Sequence, residues 1–203
     1  MLPEEDQGLV LMVRETKERF WSVAFFSPNR GLYFPLIRRS KKWCPPDIFD
    51  TANARISQAK QGDLNFLSEY EPIRRRTSIA RSYQRFRIAS RFADVLRRNA
   101  QHFPDSSTAF QASERLFDSL EQSPAPEAAY LKTIYLLAKT EGLPVREHWV
   151  DGLGEPMKSD LQNIISSPLD QQSDDPDMFR TLTASLEKWM EGEAHFQIPP
   201  GNI

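Results

Sequence analysis

The sequence predicts an α+β chain of two domains: a small closed β-barrel over residues 1–75 and an all-α helical bundle over residues 76–203. Three observations carry this reading. Short aromatic and β-branched segments separated by turn residues crowd the first seventy positions. After Pro72 the hydrophobic period changes to that of a helix. The charge divides in the same way. The first hundred residues hold 19 Lys and Arg against 11 Asp and Glu, and the remainder hold 7 against 17, which together give the formal net charge of -2. A basic region suited to phosphate is therefore followed by an acidic one that would repel it.

Five strands are expected. Residues 8–14 (GLVLMVR) and 20–26 (FWSVAFF) are rich in β-branched and aromatic side chains. In the second of them Trp21, Val23 and Phe25 alternate with Phe20, Ser22, Ala24 and Phe26, which sets the two faces. The run Ser27-Pro28-Asn29-Arg30-Gly31 is a turn, because Pro fixes φ and Asn and Gly tolerate left-handed backbone. Residues 32–37 give a third strand, with Pro35 at an edge or bulge. Residues 48–59 and 64–70 supply the last two, on either side of Gln61-Gly62-Asp63. Helices are expected over 79–100, 108–121, 128–141, 159–166 and 177–191. The first carries Tyr83, Phe86, Ala89, Ala93, Leu96 and Ala100 on one side. The third is apolar over a wide arc, and Gly142 with Pro144 stops it. Residues 167–176 read as a polar, acidic loop.

Several function classes are disfavoured. Cys44 is the only cysteine and stands apart from His102, His148 and His195, so neither a disulfide nor a structural metal is expected. The acidic start is unlike a signal peptide, and no apolar run reaches membrane-spanning length, which places the expected protein in the cytoplasm. No phosphate-binding glycine loop or nucleophile elbow occurs, so no catalytic residue and no cofactor is assigned.

The candidate binding residues are basic. Arg38, Arg39, Lys41 and Lys42 follow Arg30 of the preceding turn, and such clusters bind phosphate backbones by releasing condensed counterions. Phe20, Trp21, Tyr33, Phe34 and above all Trp43 offer faces on which unpaired bases stack. Arg74, Arg75 and Arg76 form a second cluster, continued by Arg81 and Arg85. Arg87, Arg91 and Arg98 share a helical strip that either extends the positive track or pairs with the acidic half of the chain. The binding reading requires Arg30, Arg38, Arg39, Lys41 and Lys42 to converge on one exposed groove, un-neutralised by the chain's own carboxylates.

The order of these features resembles the bacterial RecO family of recombination mediators. The stretch from Phe25 to Gly31 leading into Arg38-Arg39-Ser40-Lys41 is similar to that family's second strand, glycine turn and basic segment. Asp47-Ile48-Phe49-Asp50 is similar to the opening of its fourth strand, and Gly62 to Glu69 to the turn into its fifth. Leu136 to Pro144 is similar to the end of its central helix. The resemblance spans roughly residues 8–144. It implies an OB-fold barrel that holds single-stranded DNA, DNA annealing and recombinase loading near the bacterial nucleoid. It also implies RecR and the C-terminal tail of single-strand-binding protein as partners. One departure is plain: residues 145–157 lack the four-cysteine zinc motif of many members. The chain is also short after Pro144, which weakens any transfer of C-terminal partner contacts. The competing expectation is a non-enzymatic interaction scaffold, with Arg91 or Arg98 clamping the carboxylates of a partner peptide.

Overall fold

The computed structural model describes residues 4–17, 19–40, 44–58, 64–173 and 175–201. Six strands are seen among them: β1 (Glu4–Glu15), β2 (Phe20–Ser27), β3 (Gly31–Tyr33), β4 (Leu36–Arg38), β5 (Thr51–Gln58) and β6 (Asn65–Arg74). The main helices are α1 (Tyr83–Asn99), α2 (Ser106–Gln122), α3 (Pro126–Thr140), α4 (Glu155–Ser166) and α5 (Pro176–Glu193). The fold class is α+β. Two compact units divide the chain: Met1–Thr77 with Ala100–Glu114, and Ser78–Asn99 with Arg115–Ile203. Residues 100–114, expected with the helical domain, thus belong to the strand unit.

In the strand unit, β1 is the pivot. Its first half pairs antiparallel with β5, Glu4 opposite Ile56 through Leu9 opposite Thr51. Its second half pairs antiparallel with β2, from Leu9 opposite Phe26 to Glu15 opposite Trp21, with a register irregularity between Val10 and Met12. β5 pairs with β6, β6 runs parallel to β4, and β4 pairs with β2. The pairings β1–β2–β4–β6–β5 therefore return to β1. Gly8 sits where two strands cross closely, for a Cβ there would lie 2.8 Å from the Phe26 carbonyl oxygen. The third expected strand is two short ones. Pro35 lacks an N–H to extend the ladder, and its carbonyl instead accepts the Val23 amide at 3.1 Å.

Alternation dictates what each face buries. Val10, Val23, Phe25, Ile37, Ala52, Ala54, Ile56, Leu67 and Tyr70 form the enclosed core, with Val13, Trp21 and Tyr33 packed at its margin. On the opposite face of β2, Phe26 meets Phe103 edge-on at 6.4 Å, which ties residues 100–114 to the strands.

In the helical unit α3 is central, as its apolar arc requires: Ala128, Ala129, Tyr130, Leu131, Ile134, Leu137 and Ala138 are all buried. Phe92 of α1 meets Tyr130 at 6.2 Å and Phe117 at 5.9 Å. The buried stripe of α1 is Ile88, Ala89, Phe92, Ala93, Val95 and Leu96, while Tyr83 and Phe86 are exposed. Ala89, Ala93, Leu96 and Ala100 of the expected face are thus buried, and only its first two residues depart from it. Ile79–Arg81 is a separate 3-10 turn closed by extended Ser82, so the α-helix starts later and its first turn stands in solvent. A six-residue π-helix, Val145–Val150, follows α3, a feature with no sequence signal. The expected acidic loop before α5 is tied back to α4: the Gln172 side chain donates to the carbonyls of Ile164, Ser167 and Pro168 at that helix's end. Among the described residues no helix is long and apolar enough to cross a membrane, and no group of His, Cys, Asp or Glu is placed to hold a metal.

Candidate nucleic-acid interface

Of the three described cations of the expected basic cluster, Arg30, Arg38 and Arg39, two are ion-paired. Arg30 pairs with Glu4. Arg39 pairs with Glu15 at 3.1 Å and donates to the carbonyls of Phe20 and Thr16 at 3.3 and 3.4 Å. Its guanidinium lies 5.8 Å from the Trp21 ring centroid. Arg30, which is exposed, and Arg39, which is half-buried, thus each meet a carboxylate of the chain itself rather than standing free, as the binding reading required. Arg38 alone of the described loop cations is exposed with no ion pair among the described residues. Lys41, Lys42 and Trp43 lie outside the described residues.

The triple arginine meets three environments. Arg74 is exposed. Arg75 donates to the Pro45 carbonyl at 2.8 Å and lies 3.6 Å from the buried Asp50 carboxylate. Arg76 is buried, donating to Phe49 O at 2.7 Å, Thr51 Oγ1 at 2.9 Å and Glu114 Oε1 at 2.7 Å. The expectation that Arg76 contacts nucleic acid is overturned, because a fully enclosed, satisfied guanidinium has nothing left to give a polyanion. Asp50 accepts from the Tyr70 hydroxyl at 2.8 Å and the Asp47 amide at 3.2 Å. Burial pushes its carboxyl above the usual range, against the opposing pull of Tyr70 and Arg75.

Arg91 is likewise corrected. It makes a two-point pair with Glu187, at 2.9 and 2.6 Å, and Glu187 also accepts from the buried Tyr130 hydroxyl at 2.7 Å. Of the two open readings of its strip, internal pairing holds at this position. Arg98 is half-buried, with its Nε lacking a partner.

What the strands do assemble is an aromatic and basic face on β1, β2, β4 and β6. Directly opposed residues of antiparallel strands project to one side. Arg14 opposes Ser22, Ser22 opposes Leu36, and Leu36 stands level with Phe66 on parallel β6. Phe20 opposes Arg38, and the Phe20 and Phe66 rings lie 5.8 Å apart, tilted by 55°. Both rings are half-buried, and Arg14 and Arg38 are exposed. Lys17 and Arg19 are exposed in the β1–β2 connection beside them. Neither Arg14 nor Arg38 pairs with a carboxylate among the described residues. Two ring faces flanked by two guanidinium groups can stack bases and hold phosphates.

Arg14 and Phe66 were not singled out from sequence. Period-two alternation places Phe20 and Ser22 on one face of β2, but the neighbours of that face come from strands whose register the sequence does not state. No family model matches the chain, and no curated protein matches it.

Proposed function

We propose that this chain binds single-stranded nucleic acid, without turnover, across the β1–β2–β4–β6 face, and that its ring of strands is an OB-fold barrel. The observation that carries the reading is the Phe20–Phe66 ring pair flanked by Arg14 and Arg38, which have no carboxylate partner among the described residues. Stacking needs bases with open faces, which a duplex withholds, so single strands are the fitting ligand. The ring order, with its one parallel contact between β4 and β6, supports the OB-fold assignment. A recombination-mediator role of the RecO kind, with annealing and RecR-linked recombinase loading, is the physiological setting that we propose.

A second reading has its own support: Phe34 and Leu64 are about half exposed, large and apolar, as at a protein-binding surface. Fluorescence anisotropy with a labelled oligothymidylate and a duplex of equal length, at two salt concentrations, separates the two. We predict salt-sensitive binding of the single strand. Phe66→Ala should weaken it by roughly 5- to 100-fold, the range for losing one stacked base. Arg38→Gln should reduce the log–log salt slope by about 0.7, one phosphate contact. Absence of salt-sensitive binding by the unaltered protein would abandon nucleic acid in favour of the scaffold.

A further inference from the structure

We propose that Arg39 and Arg75 are positioning residues that clamp the two ends of the β4–β5 connection, Arg39 thereby setting the binding face, rather than contacts to the ligand. This rests on the nucleic-acid reading for its functional consequence, but the clamp itself is drawn from geometry.

The leading end is tied by Arg39. It is the first residue beyond β4, and its amide donates to the Arg19 carbonyl at 2.8 Å. Its side chain reaches Phe20 O, Thr16 O and the Glu15 carboxylate, all on the β1–β2 hairpin. That hairpin carries Arg14 and Phe20, and β4 carries Arg38. One guanidinium thus cross-links the strands that hold three of the four face residues. A planar fork with several donors is suited to this task, and a lysine ammonium, with its point charge, is not.

The trailing end is tied by Arg75. Its guanidinium bridges Pro45 O to the Asp50 carboxylate. Beside it Arg76 holds Phe49 O, and Phe49 has φ 67, a left-handed backbone uncommon for a bulky residue. Phe49 and Asp50 also exchange backbone hydrogen bonds with Val10 at 2.8 and 2.9 Å. A strained residue persists only where its surroundings over-determine it. Here three independent ties do so.

The test separates contact from positioning by the salt slope, which counts phosphates neutralised. Four variants are compared with the unaltered protein: Arg39→Gln, Arg39→Lys, Arg75→Gln and the charge-balanced pair Glu15→Gln with Arg39→Gln. Affinity for a labelled oligothymidylate is measured across salt, and amide hydrogen exchange at residues 16–20 and 44–50 is followed without ligand. We expect the Arg39 variants to weaken binding about tenfold through lost preorganisation and Arg75→Gln to leave it nearly unchanged, all at an unchanged slope. Exchange should accelerate at residues 16–20 for the Arg39 variants and at 44–50 for Arg75→Gln. A slope reduced by about 0.7 in the charge-balanced pair would make Arg39 a phosphate contact and overturn the proposal. Unchanged exchange would overturn it too, whatever binds. If the unaltered protein binds no oligonucleotide while exchange accelerates as expected, the nucleic-acid reading fails and the clamps stand.

Discussion

Arg74, Arg75 and Arg76 are three identical residues in a row with three different fates, and the difference lies in what surrounds each. Arg76 finds a carboxylate 38 positions later in the chain, at Glu114, and two strand-end acceptors. Replacing it by Met should lower stability by about 3 kcal/mol, because the partners of a buried pair are left uncompensated. Urea unfolding followed by circular dichroism measures this. A loss below about 1 kcal/mol would mean that Glu114 and Thr51 rehydrate freely. The Arg91–Glu187–Tyr130 triad makes a parallel case. Burial, then the Glu187 charge, holds the Tyr130 hydroxyl in its protonated form well above the ordinary phenol range. Tyr130→Phe removes one donor to Glu187 and should cost about 1–2 kcal/mol. The cationic residue types were legible in the sequence, but their partners were not. A run of arginines has the same appearance whether its acceptors are phosphates or carboxylates brought in by folding.

Helix ends give sharper expectations. The Asp175 side chain accepts the amides of Asp177 and Met178, both at 3.1 Å, at the start of α5. Asp175→Ala should cost about 1 kcal/mol. At α2, Asp105 accepts from the Thr108 hydroxyl at 2.5 Å and the Ser107 amide at 2.9 Å, which holds its carboxyl below the usual value. Its native pKa being depressed, this cap is fully present above the unfolded carboxylate range and is lost as pH falls through the lowered pKa. Thermal melts of Asp105→Asn should therefore converge on those of the unaltered protein at low pH and diverge near neutrality. The elements were largely readable because periodicity and punctuation are local: β2, α3 and α5 stand within two residues of their expected bounds. What was lost depends on distant packing. The π-helix after α3 has no such signature. The start of α1 moved because Ser82, in extended backbone, ends a 3-10 turn that the apolar pattern runs straight through.

At the scale of the molecule, the chain passes between its two units at Thr77, Asn99 and Glu114, so neither is a continuous stretch of sequence. The contrast of basic and acidic halves was visible in the charge count, yet it does not follow the two units: Met1–Thr77 with Ala100–Glu114 holds 13 Lys and Arg against 12 Asp and Glu, and Glu4, Glu15 and Glu114 pair with cations inside it. The C-terminal segment belongs to the helical unit through a reciprocal pair: the Asn99 side chain donates to Gln197 O at 3.1 Å and accepts the Gln197 amide at 2.8 Å. Asn99→Ala should speed exchange of the Gln197 amide, with no effect on the strand unit. Unaltered exchange there would show that Phe196, buried beside it, holds the segment without help.

The parallel contact of β4 with β6 amounts to two register pairs, Leu36 with Phe66 and Ile37 with Leu67, against eight between β5 and β6. That seam is the thinnest stretch of the hoop and the place where it should breathe first. Phe20 and Phe66 straddle it. Any molecule resting on both rings works as a staple, so occupancy would quiet the fluctuation. By reciprocity, whatever factor a closed seam adds to the affinity of such a molecule, the bound molecule adds to closure of the seam.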